Sequence, residues 1–165
     1  VNPHTAFISI GSNLGDKIDN CQSAIEKLSR LEGTALLAAS PFYRTAPVDF
    51  LDQDWFINAA VKLGTGLGPL RLLEMLQEIQ RGAGRVTDPI PFGPRIIDLD
   101  IIFYDDAVIE TAELVLPHPR MHKRAFVLQP ICDIDPQLVH PVFHRQVQDL
   151  LGELDDPSQG IERIQ

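Results

Sequence analysis

The order of hydrophobic and polar positions divides the chain into a few clear elements. Residues 5–11, "TAFISIG", alternate and predict a strand that ends at glycine. Asp16 is placed to cap a helix running to about residue 31, in which Ile18, Cys21, Ile25 and Leu28 fall on one face and Gly33 marks the end. Residues 34–45 read as one long strand, with Pro41 pointing to a bulge or a sheet edge. A polar loop, 46–54, leads to a further strand over 55–65. Pro69 suits the first turn of a helix, and Leu72, Leu73, Leu76 and Ile79 form its apolar stripe before Gly82 and Gly84.

Residues 85–95 carry three prolines and one glycine, which excludes regular structure. A strand over 97–104 follows. The stretch 114–134 holds a short strand, a Pro-His-Pro turn and a helix from about Arg120. A last helix is expected over roughly 145–154, and the acidic tail from Asp155 is expected to be loose. The order β-α-β-β-α-β predicts an α+β fold of the ferredoxin-like split βαβ plan, an antiparallel sheet covered by helices, in a single domain over 1–165. Many activities share that plan, so the order alone does not name one.

The strand over 97–104 contains an anomaly. Its alternation sends Ile97, Leu99, Ile101 and Phe103 to one face and Asp98 and Asp100 to the other. Two carboxylates on one face repel unless something offsets their charge. An exposed strand face in water is one solution. A divalent cation is another, and Mg²⁺ is held by one or two carboxylates together with substrate phosphates. The surrounding residues favour the cation: Arg85 and Arg95 precede the strand, and His118, Arg120, Lys123 and Arg124 cluster in one later turn. A basic set beside a carboxylate pair suits a metal–polyphosphate site.

Other motifs are weaker. His118 and His122, and likewise His140 and His144, are four apart, but a proline follows the first member of each pair, which argues against zinc on a regular helix. Neither a Walker-type phosphate loop nor a Gly-x-Gly-x-x-Gly fingerprint is present.

Composition narrows the class. The 165 residues are 44% hydrophobic and ample for one core. The net charge of −9 disfavours nucleic acid or an anionic membrane as partner. Cys21 and Cys132 lack metal-type spacing and read as reduced thiols. The start of the chain has no basic leader with a long apolar run, and no segment approaches the roughly 20 apolar residues of a membrane span. A soluble cytoplasmic protein is expected.

Taken together, the segments resemble the 6-hydroxymethyl-7,8-dihydropterin pyrophosphokinase family of folate biosynthesis. "GPRIIDLDIIFY" resembles its signature, and "ISIGSNLGD", "SPFYRTAPV", "FINAAV", "GRV" and "LPHPRMHKRAFVL" resemble further family segments in family order, over about residues 5–140. The resemblance implies transfer of the pyrophosphoryl group of ATP to the pterin hydroxymethyl oxygen, with release of AMP. It implies two Mg²⁺ ions on Asp98 and Asp100, with Arg85 and Arg95 completing the catalytic set and no general base. It implies pterin contacts from Thr45, Val48, Phe56, Asn58 and Phe126. Gln77, Arg85, Arg95, Ile101, His118 and Arg124 match positions on the ATP side. Loops 46–54 and 85–95 match mobile family elements, the second closing over the site with Phe92 where many relatives carry Trp. Thr87, Gln80 and Pro119 depart from common family residues. The partners implied are the two small substrates, with no nucleic acid, no membrane and a monomeric chain; dihydropteroate synthase would take the product. Two rivals remain open: a nucleotidyltransferase that releases pyrophosphate, and a binding module without turnover.

Overall fold

A computed structural model describes residues 2–47, 51–84, 95–154 and 159–164. The elements in chain order are β1 (His4–Ser12), α1 (Lys17–Ser29), β2 (Thr34–Ala39), β3 (Tyr43–Thr45), β4 (Phe56–Thr65), α2 (Pro69–Gly82), β5 (Asp98–Tyr104), β6 (Ile109–Glu110), β7 (Val115–Leu116), a 3₁₀ turn (Met121–Lys123), α3 (Ala125–Ile134), α4 (Val147–Glu153) and β8 (Ile161–Arg163). The main sheet runs β5-β1-β4-β3-β8, with β2 also paired to β4, and its pairings are antiparallel. This is the expected α+β arrangement.

Alternation decides what each face of the sheet carries. Ile8 and Ile10 of β1, Val61 and Leu63 of β4 and Leu99 and Ile101 of β5 pack in one cluster with Cys21, Ala24 and Leu28 of α1 and Leu72, Leu76 and Ile79 of α2. Each fully buried leucine of that layer stabilises the fold by about 2 kcal/mol. Asp16 caps α1 by accepting the Asp19 N–H at 3.1 Å. Arg30 caps the end of α1, and Gly33, at φ +67°, turns the chain into β2, a conformation that costs glycine no Cβ clash. Pro69 begins α2.

The opposite face is only partly covered. Phe7, Ala60, Ile102 and Phe103 pack there against Val127, Leu128 and Ile131 of α3 and Val147 and Leu150 of α4. Beyond them, at the Ser12 end of β1, the sheet face is open.

Four expectations need correction. Residues 34–45 form two strands, paired to different halves of β4. Pro41 has no N–H to offer a ladder, and Ser40 spans the break by exchanging hydrogen bonds with Ala60 at 2.9 Å. Phe103 lies on the face opposite Ile101, because the β1–β5 register shifts between Phe7 and Ile8 and leaves Ile102 as an extra residue. The chain after Asp155 is not loose throughout: β8 pairs with β3. The helix expected from Arg120 is also divided, with Arg124 extended between the 3₁₀ turn and α3.

Candidate active site

The open half of the second face is floored by small residues. On β1, Ser9 and Gly11 point to this side. Gly11 lies opposite Asn58 of β4 and Asp98 of β5, and Ser9 lies opposite Ala60 and Asp100. Larger side chains at these positions would fill the space. They bound a cavity of about 300 Å³, walled by Thr45, Ala46, Pro47, Gln53, Phe56, Asn58, Arg95, Asp98, Asp100, His118, Arg124 and Phe126. The size suits a small-molecule site.

One end of the cavity is ionic. Burial raises the pKa of Asp98, and the Asp100 charge raises it further, while Arg95 and Arg124 oppose the shift. Burial also raises that of Asp100, against Arg124 and Arg120. The strain of this pair is what a bound cation would relieve. Two neighbouring carboxylates are hard oxygen donors and fit Mg²⁺. Among the described residues, no group of three or more His, Cys, Asp or Glu could hold a metal. Other ligands would therefore come from water and substrate oxygens.

Backbone ties hold the acidic strand. The Leu99 N–H, between the two aspartates, donates to Gln80 Oε1 at 2.7 Å. Gln80 thus supports the carboxylate strand from α2. Arg95 is fixed through Asn13: its N–H donates to Asn13 Oδ1 at 2.8 Å, and the Asn13 N–H donates to the Arg95 carbonyl at 3.0 Å. Asn13 Nδ2 reaches Gln53 Oε1 at 2.8 Å and the Asp54 carbonyl at 3.2 Å, so one buried amide joins three segments around the cavity.

His118 is held neutral. Burial, then Arg124 and Arg120, lower its pKa to about 4. Its Nδ1 accepts the Arg120 N–H at 3.2 Å.

The other end is amide and aromatic. Asn58 is 4% exposed and Thr45 is 1% exposed, and Asn58 Nδ2 donates to Thr45 Oγ1 at 2.5 Å. Asn58 Oδ1 extends over Gly11, where an added Cβ would lie only 2.6 Å from it. Phe56 and Phe126 also line the cavity, and the Arg124 guanidinium lies 5.5 Å from the Phe126 ring centroid. Flat aromatic faces beside a buried amide suit a planar heterocycle with donors and acceptors on its edge.

The structure therefore brings together Thr45, Phe56, Asn58, Arg95, Asp98, Asp100, His118, Arg124 and Phe126. Gln77 is exposed on α2 and does not line the cavity. Ile101 is packed in the cluster on the far face of the sheet. Val48, Arg85, Thr87 and Phe92 lie outside the described residues. Sequence reasoning did not nominate Ser9, Gly11 or Asn13. The alternation of "TAFISIG" carried the signal for the first two, since Ser and Gly occupy the non-core positions. Nothing local marked Asn13.

Fold and cavity define an α+β protein of the ferredoxin-like plan with one two-ended small-molecule site, ionic at one end and amide-aromatic at the other. The profile of the family described as 7,8-dihydro-6-hydroxymethylpterin-pyrophosphokinase (HPPK) matches residues 7–136. The chain is 43% identical over 160 residues to a 2-amino-4-hydroxy-6-hydroxymethyldihydropteridine pyrophosphokinase of Methylorubrum extorquens, covering 97% of this chain and 98% of that protein. It is 42% identical over 156 residues to the folic acid synthesis protein fol1 of Schizosaccharomyces pombe, covering 94% of this chain and 21% of that one. A solved Plasmodium falciparum HPPK-DHPS shares the fold at a TM-score of 0.72 and 15% identity, over 91% of this chain and 43% of that one. The chain thus spans nearly all of the first relative, about a fifth of the second and under half of the Plasmodium chain. It belongs to the HPPK family.

Proposed function

We propose that the chain transfers the β,γ-pyrophosphoryl group of ATP to 6-hydroxymethyl-7,8-dihydropterin. The observation that carries this reading is that the carboxylate pair and the Asn58–Thr45 pair open into one cavity from the same sheet face. The pterin lies at the amide end, with Phe56 and Phe126 against its ring and Asn58 and Thr45 on its edge. ATP lies at the ionic end. Its phosphates face Arg95, Arg124 and the neutral His118. Asp98 and Asp100 hold two Mg²⁺ ions, which supply charge neutralisation for the phosphate oxygens.

In the step itself the pterin hydroxymethyl oxygen bonds to the β-phosphorus. The bond from that phosphorus to the α,β-bridging oxygen breaks, AMP leaves with the bond's electrons, and the hydroxyl proton passes to solvent. Positioning and electrostatics carry the rate. Arg95 and Arg124 stabilise charge on the transferring group, and the floor of Ser9 and Gly11 lets the two substrates approach. Arg85 and Val48 complete the proposed contacts.

The family name, the donor chemistry of the pair and the cavity size support the reading. Among the described residues no helix is long and apolar enough to cross a membrane. We place the enzyme in the cytoplasm as a monomeric single domain, acting on small molecules and on neither nucleic acid nor membrane.

AMP formation from Mg–ATP, followed with and without the pterin, tests the proposal. AMP that requires both pterin and Mg²⁺ is expected. Pyrophosphate release would point to nucleotidyl transfer, and ligand binding without turnover to a binding module; either result sinks the reading.

A further inference from the structure

The last described stretch, residues 159–164, touches two walls of the cavity from outside. Gln159 Oε1 accepts the Ala125 N–H at 2.9 Å, and Gln159 Nε2 donates to the Lys123 carbonyl at 2.9 Å. These peptide groups flank Arg124. Ala125 is the first residue of α3, and its N-cap residue, Arg124, makes no side-chain cap bond. The first N–H groups of a helix need an acceptor from elsewhere, which the cap side chain ordinarily supplies. Here Gln159 accepts from the first of them. The Arg124 side chain, which has no acceptor to offer, is directed into the cavity instead.

The same stretch holds the wall that carries Thr45. The Ala46 N–H donates to the Gly160 carbonyl at 2.8 Å, and the Ile164 N–H to the Phe42 carbonyl at 3.0 Å. Between them, Ile161 pairs with Thr45, Glu162 with Arg44 and Arg163 with Tyr43. Trp55 completes the contact. The Arg44 guanidinium lies 4.1 Å from its ring centroid, and a Cβ at Gly160 would come within 2.9 Å of its Cη2.

We propose that residues 159–164 form a positioning strap for the active site, with Gln159 setting the Arg124–Phe126 wall and β8 setting the Thr45 wall. Gln159 is a positioning residue: it acts through Arg124 and Phe126 and touches neither substrate. The inference rests on the pyrophosphokinase reading of the cavity.

The test uses the whole chain with Gln159→Ala, Gln159→Glu and Gly160→Ala. Kinetics are read at 25 °C, thermal melting separately, and Trp55 emission reports the strap, since it is the one tryptophan in the sequence. Gln159→Ala should lower kcat/KM about tenfold, as expected for a small misplacement of reacting groups. Its melting temperature should fall by only about 3 °C. Gln159→Glu keeps the acceptor for Ala125 and should recover part of the activity. Gly160→Ala should shift Trp55 emission and lower kcat/KM together. Unchanged kcat/KM in Gln159→Ala and Gly160→Ala, with lower melting temperatures or a shifted Trp55 signal, would make the strap a stabilising element only and overturn the proposal. Absence of AMP from the unsubstituted chain is seen before any variant is compared, and overturns the pyrophosphokinase reading instead.

Discussion

Gly11 shows how much of the site depends on single atoms. It stands between Asp98 and Asn58 across three strands, and its missing side chain leaves room for Asn58 Oδ1. Gly11→Ala would put a Cβ where that oxygen now lies, so Asn58 must turn away from the cavity. Calorimetry should show pterin affinity reduced by about tenfold or more, the discrimination associated with a lost buried polar contact. Asn58→Ala should produce the same selective loss, with Mg–ATP affinity nearly unchanged. Asp98 and Asp100 are more demanding. Asp98→Asn or Asp100→Asn should abolish Mg²⁺-dependent turnover while leaving the melting temperature undiminished, because each removes one member of a repelling pair from a buried setting. Near-normal rates in both variants would refute the metal assignment.

Elements place these atoms, and two contacts between elements show how. Gln80 reaches from α2 to the peptide between the two aspartates. Gln80→Leu leaves that N–H without its side-chain partner, and kcat should fall several-fold with less change in KM for the pterin, whose wall is elsewhere; steady-state kinetics with each substrate varied would separate the two. The connection from α3 to α4 depends on His140, which is buried at 3% exposure. Its Nδ1 accepts the Val142 N–H at 3.2 Å and the Phe143 N–H at 3.1 Å, and its ring stacks on Phe143 and meets the edge of Phe103. A protonated ring could accept neither bond. Burial, with His122 and His144 nearby, lowers its pKa to about 4 from 6.5. A lowered folded-state value means that the unfolded chain binds the proton first as pH drops. The stability His140 confers is therefore present above pH 6.5 and lost between about 6.5 and 4, by about 1–3 kcal/mol. His140→Asn keeps an acceptor for the turn without titrating in that range. Urea midpoints from pH 7 to 4.5 should fall less steeply in that variant than in the unsubstituted chain.

At the scale of the whole molecule, one sheet joins both clusters of the core, with β1, β4 and β5 contributing to each. A single cooperative calorimetric transition is expected, with equal van't Hoff and calorimetric enthalpies. Two resolved transitions would contradict a single domain. Periodicity in the sequence was enough for the main helices, the central strands and the α+β plan, because alternation and the 3.6-residue stripe arise from local geometry. It also isolated Asp98 and Asp100, since two charges on the polar face of an apolar strand violate the pattern. The basic cluster in one turn marked His118 and Arg124, and the resemblance carried in "FINAAV" and "LPHPRMHKRAFVL" added Asn58 and Phe126. Tertiary structure decided the rest. The bulge that turns Phe103 away from Ile101 depends on the register with β1, and Asn13 gains its meaning only where three segments meet. Gln159 lies in a tail with no periodic signal, yet it accepts from the first N–H of α3. Local sequence specifies how a segment presents its side chains; long-range pairing determines which other segment receives them.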